Sequence, residues 1–78
     1  MPTMINRGKE LIRISPSNTM KLEYSVTNGR TWTTRYSGNS MTGEFFDLMD
    51  NGQEILGTTE RGLYYSRTEG RTWVLRKR

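Results

Sequence analysis

The chain has neither cysteine nor histidine among its 78 residues. Disulfide staples are therefore excluded, and the usual zinc-ligand sets are missing. The same two absences remove the commonest general base and the thiol nucleophile. Proline occurs only twice. No stretch shows a helical apolar period, and none approaches the ~18 apolar residues of a membrane span. The opening Met1-Pro2-Thr3-Met4-Ile5-Asn6-Arg7 lacks the apolar core of a secretory leader, so an intracellular, cytoplasmic protein is the default expectation, with Met1 read as a natural start. The glycines are spaced as turns and do not form a phosphate-cradling loop ahead of a helix. A chain this short has a marginal core. With staples and metals set aside, self-association is the remaining aid to stability.

What the chain does have is arginine. Twelve Lys plus Arg stand against eight Asp plus Glu, a net charge of +4, and nine of the twelve are Arg. A basic surface attracts phosphates, acidic sugars or acidic proteins, although a charge of this size also serves ordinary solubility. The basic end Arg76-Lys77-Arg78 is too short to be a nucleic-acid-binding arm by itself.

The chain also repeats itself. Tyr24-Ser25-Val26-Thr27-Asn28-Gly29-Arg30-Thr31-Trp32 matches Tyr65-Ser66-Arg67-Thr68-Glu69-Gly70-Arg71-Thr72-Trp73 at a spacing of 41, with Arg35 and Arg76 also in register. Upstream, Asn6-Arg7-Gly8-Lys9-Glu10-Leu11-Ile12 aligns with Asp50-Asn51-Gly52-Gln53-Glu54-Ile55-Leu56 at a spacing of 44. The first copy thus carries three extra residues near Ser15-Pro16-Ser17-Asn18, a turn-rich stretch that tolerates insertion. Strands are predicted over 3–6, 9–15, 20–25 and 31–37 in the first copy, and over 45–49, 53–58, 63–66 and 72–76 in the second. Asn-Gly between apolar runs is a hairpin signal. One domain of two repeats follows, 1–37 and 44–78, with 38–43 as linker. Four strands per ~40 residues is the period of a propeller blade.

The paired motif resembles the Asp-box, or BNR, repeat, written Ser-x-Asp-x-Gly-x-Thr-Trp, which joins the third and fourth strands of blades in sialidases and other propellers. The resemblance implies an all-β fold of two four-stranded antiparallel blades. Ser25, Thr27, Gly29, Thr31 and Trp32, with Ser66, Thr68, Gly70, Thr72 and Trp73, are the structural motif. Both copies have Thr where the family has Asp. The hydroxyl still accepts a hydrogen bond but brings no charge, and a metal-binding reading of the turn loses its best ligand; no cofactor is expected. The two Trp are expected to pack between adjacent sheets, with Arg30/Arg71 and Arg35/Arg76 as partners over their faces.

Two blades cover only the faces between them. Ile12, Ile14, Leu22, Phe46, Leu48, Leu56 and Leu63 are expected to be left partly bare, and such surface marks an interface. Completion by oligomerisation follows, with a six-bladed ring of three chains the favoured form. Other ring sizes, a compact dimer, or a piece of a longer propeller are the alternatives.

Sialidases draw an arginine triad, a Tyr–Glu pair and an acidic residue from several blades, which two blades cannot supply. No catalytic residue is assigned, and the eight carboxylates, Glu44, Asp47 and Asp50 among them, form no recognisable pair for glycoside hydrolysis. The expected function is a non-catalytic, lectin-like module for a glycan or small acidic ligand. In propellers the ligand face carries the loops between second and third strands and between blades. Here that face holds Ser17, Asn18, Tyr36, Asn39, Glu60 and Arg61. The alternatives are a protein-interaction or inhibitor module, such as one from a mobile element, and nucleic-acid binding through interleaved Arg and aromatic residues.

Overall fold

The structure, a computed structural model, describes residues 3–77. Arg78, the last residue of the basic end, and Met1 lie outside the described residues. The described residues form eight strands: β1 (Met4–Asn6), β2 (Leu11–Ile14), β3 (Leu22–Ser25), β4 (Thr33–Tyr36), β5 (Phe45–Asp50), β6 (Ile55–Thr59), β7 (Gly62–Ser66) and β8 (Val74–Lys77). They form two four-stranded antiparallel sheets, ordered β1-β2-β3-β4 and β5-β6-β7-β8. No described residue is helical.

Turn chemistry sets where the strands begin. Arg7 N donates to Glu10 O at 2.8 Å, and Asn51 N to Glu54 O at 3.2 Å. Asn51 Oδ1 also accepts the amides of Gln53 and Glu54. These bonds hold residues up to Glu10 and Glu54 in the turn, so β2 and β6 start two residues later than the apolar pattern predicts. The two sheets share an irregularity: register shifts between Leu22 and Glu23 against β4, and between Leu63 and Tyr64 against β8. A bulge at the same place in both copies increases local twist.

One core lies between the sheets. Ile5, Ile12, Ile14 and Leu22 come from the first sheet, and Phe45, Leu48 and Ile55 from the second. Strand β5 packs on β1 and β2. Tyr36, Phe45 and Trp73 meet edge-on or tilted, with ring centroids 5.1–6.4 Å apart. Gly57 makes room for them, since a Cβ there would sit 2.8 Å from Phe45 Cε1 and 3.1 Å from Trp73. Burying each large aliphatic side chain contributes about 1.5–3 kcal/mol.

The expectation for the bare faces is corrected here. Ile12, Ile14, Leu22 and Leu48 are buried between the sheets, while Phe46 is exposed and Leu56 and Leu63 are half-buried. Strand alternation had placed all seven on sheets without saying which face meets the other sheet.

Candidate binding cleft

The repeated turn is built alike in both sheets, and its second copy ends at Trp73, which lines the cleft described below. Ser25 Oγ accepts the amides of Thr27 (3.2 Å) and Gly29 (2.9 Å). Ser66 Oγ accepts those of Thr68 (3.3 Å) and Gly70 (2.9 Å). Thr27 and Thr68 accept the Thr31 and Thr72 amides through Oγ1, each at 2.9 Å. Gly29 and Gly70 take φ of 89° and 91°, which glycine adopts at little steric cost. The indole Nε1 of Trp32 donates to Gly29 O at 3.0 Å, and that of Trp73 to Gly70 O at 2.9 Å.

Although the two turns are alike, their Trp side chains have different surroundings. Trp73 packs against the core. Trp32 does not lie between sheets: it sits on the outward face of the first sheet, half-buried, with the Arg13 guanidinium 4.0 Å over its ring. The predicted Arg partners are also corrected. Arg35 stacks on Tyr24 at 4.0 Å and Arg76 on Tyr65 at 4.2 Å. Tyr24 and Tyr65 stand beside Thr33 and Val74 on the paired strands, so an arginine two residues further along shares the tyrosine's face.

The linker folds back to make a concave wall. Asn39 O accepts the Thr42 and Gly43 amides at 3.2 and 2.9 Å, and Asn39 Oδ1 accepts the Met41 amide at 2.8 Å. Tyr64 Oη donates to Met41 O, and Tyr36 Oη lies 3.2 Å from Thr42 Oγ1. Between this wall and the second sheet opens a cleft of about 470 Å³, lined by Tyr36, Asn39, Thr42, Arg61, Tyr64 and Trp73 among others. A recess of about 190 Å³ beside it adds Glu60 to Arg61.

Of the six residues placed on the ligand face by sequence, Tyr36, Asn39 and Arg61 line the cleft and Glu60 lines the recess. Ser17 and Asn18 line neither; their amides cap the β2–β3 loop on Ser15 Oγ. Thr42, Tyr64 and Trp73 were not foreseen in the cleft. The period-two pattern of β7 does put Tyr64 on the face opposite Leu63 and Tyr65, which was the available signal.

The electrostatics divide the charges in two. Most carboxylates are tied to arginines. Arg35 and Glu10 form a bidentate pair at 3.0 and 2.7 Å, which holds the Glu10 carboxyl below its ordinary value. Arg76, helped by Arg67, does the same to Glu54. Arg7 joins Glu69 (2.8 Å) and Asp50 (2.6 Å). It lowers Glu69, while Asp50 is lowered first by the Gly52 amide and then by Arg7. Glu69 and then Asp50 in turn raise Arg7, against the opposing effect of its burial. Arg61, like Arg30 and Arg71, makes no ion pair among the described residues; of these three it alone lines the cleft, where it is exposed. No cluster of acidic side chains that could hold a metal occurs among the described residues.

The cleft therefore presents aromatic rings whose polar atoms are already bonded to the protein, one side-chain amide and one guanidinium without an ion pair among the described residues. Such a set can stack an apolar ring face and pair with an anion. No family profile, curated protein or solved structure matches the chain.

Proposed function

We propose that the chain is a pair of Asp-box-type propeller blades acting as a non-catalytic, lectin-like module, with a glycan or small acidic ligand bound in the cleft beside the linker. The observation that carries this reading is the exposed Arg61 at the rim of a concave site walled by Tyr36, Tyr64 and Trp73. Ligand sites of this kind combine an apolar wall with a few polar groups that fix orientation. A sugar ring offers an apolar face to the aromatic wall and hydroxyls to Asn39, and a carboxylate or sulfate would pair with Arg61. The reading assigns no bond-breaking step to any residue. Completion of the propeller belongs to the same proposal: further blades come from further chains, and three chains would supply six.

The test is a titration with glucuronic acid and with a sulfated disaccharide, followed by NMR. Binding is expected to shift the Trp73 indole and Asn39 side-chain signals. Arg61→Ala is expected to weaken binding about tenfold, the loss of one charge-assisted contact of ~1.4 kcal/mol. Unmoved signals at millimolar ligand would overturn the proposal.

A further inference from the structure

The two sheets are packed head to tail. The face that the first sheet turns toward the second corresponds, residue by residue, to the face that the second sheet turns outward. Register gives the correspondence. Leu11 stands opposite Ser25 as Ile55 stands opposite Ser66, and Ile12 opposite Tyr24 as Leu56 opposite Tyr65. Met4 opposes Arg13 as Leu48 opposes Gly57, so Met4 matches Leu48 and Ile5 matches Met49. Burial alternates across these pairs. Ile5 is 9 % exposed and Met49 54 %, whereas Leu48 is 0 % exposed and Met4 49 %. The chain thus forms one contact between its two kinds of face and leaves one of each kind open.

The open faces keep the anchor of the closed contact. At the closed contact, Arg35 lies on Tyr24, is gripped by Glu10, and donates across to Glu69 O at 2.7 Å. Its side chain is 3 % exposed. On the outward face of the second sheet, Arg76 lies on Tyr65 and is gripped by Glu54, the matching residues. Its side chain is 38 % exposed. The receiving turn is duplicated as well. Glu69 has φ 60° and its counterpart Asn28 φ 59°, so the two carbonyls are presented alike. Gly70 is covered from the first sheet by Arg35 and Ile12, at 3.6 and 3.9 Å from where a Cβ would stand. Among the described residues, Gly29 meets only Trp32 and Leu11, both from its own half of the chain.

We infer that a second copy of this chain docks head to tail. The outward face of its second sheet, carrying Met49, Leu56 and Tyr65, covers the outward face of the first sheet, with Arg76 reaching the Asn28 carbonyl of the next copy. This names the faces behind the oligomer proposed above, and it does not depend on the cleft holding a ligand. The new contact is weaker than the internal one for two reasons. The Arg7–Glu69–Asp50 ion pairs have Asn51, Asn28 and Asn6 at the matching places, which carry no charge. Arg13, held by Glu23 at 2.8 Å, lies over Trp32 where Gly57 leaves the second sheet open. The contact joins unlike surfaces, so it closes into a ring or propagates as a filament.

Light scattering on the full chain, from micromolar to millimolar, is expected to show integer multiples of the chain mass. Met4→Glu blocks the receiving face and Met49→Glu the docking face, both at exposed positions. Each variant alone is expected to be monomeric, with an unchanged circular dichroism spectrum, and the two mixed are expected to form one-to-one pairs. A wild-type chain that stays monomeric at every concentration overturns the inference. So does a folded single variant that still self-associates, or a mixture of folded variants that does not pair. The wild-type mass needs no variant and tests the contact even where a substitution unfolds the chain. The ligand reading fails on a different measurement, the titration.

Discussion

At Ser66 a single hydroxyl oxygen receives two turn amides, that of Thr68 and that of the buried Gly70. Ser66→Ala leaves both without that acceptor, and an orphaned buried donor costs about 1–3 kcal/mol. Urea unfolding should show a lower midpoint at unchanged slope. Ser25→Ala should cost less, because Gly29 is only half-buried. The hydrogen-bonding capacity of these turns could be read from residue types alone: a hydroxyl two residues before another, then glycine. What could not be read was the fate of the Trp that ends each turn. Trp32 and Trp73 share their whole local motif. Their difference comes from the paired strands, where Arg13 stands in one sheet and Gly57 in the other, and from Phe45, which reaches Trp73.

Among the strands, β5 shows how much rests on one register. Leu48 points into the core and Met49 away from it. Leu48→Ala should destabilise by about 2–5 kcal/mol through the cavity it leaves. Met49→Ala, measured at dilutions where chains are separate, should stay within about 0.5 kcal/mol. Thermal or urea unfolding of the two variants side by side checks the contrast, and equal losses would mean that the inward face is misassigned. The two four-stranded sheets were legible because β-favouring runs alternate with Gly-containing turns at regular distance. The inward face of each sheet was not, because both faces carry apolar residues: Ile12 and Ile14 alternate with Leu11, and Ile55 and Gly57 with Leu56. The cleft was half legible. Tyr36, Asn39 and Arg61 belong to loops or strand ends that a sequence flags, whereas the Trp73 wall exists only once the sheets have packed.

Across the whole molecule, the charged contacts between sheets gather on Arg7 and Glu69, with Arg35 adding a bond to the Glu69 carbonyl. Glu69, Asp50, Glu10 and Glu54 all have carboxyls held below their ordinary values in the folded chain. Groups lowered by folding contribute stability above their unfolded pKa, about 4 for carboxylates. That contribution is lost as pH falls through the lower folded values. Unfolding free energy should therefore be level from neutral down to about pH 5 and fall below about pH 4. Glu69→Gln should flatten that fall, and denaturant titrations at stepped pH would show it. A fall of the same depth in the variant would remove Glu69 from the account.

Every strand pairs with its neighbour along the chain, from β1 to β4 and again from β5 to β8. The loops to be closed are therefore short, and contact order within each sheet is low. Each half can zip from its hairpins before it meets the other, so the search for the native state narrows to one distant encounter across the linker. A newly made chain leaves its inner strands β2, β3, β6 and β7 unpaired only briefly, and brief exposure limits their pairing with strangers.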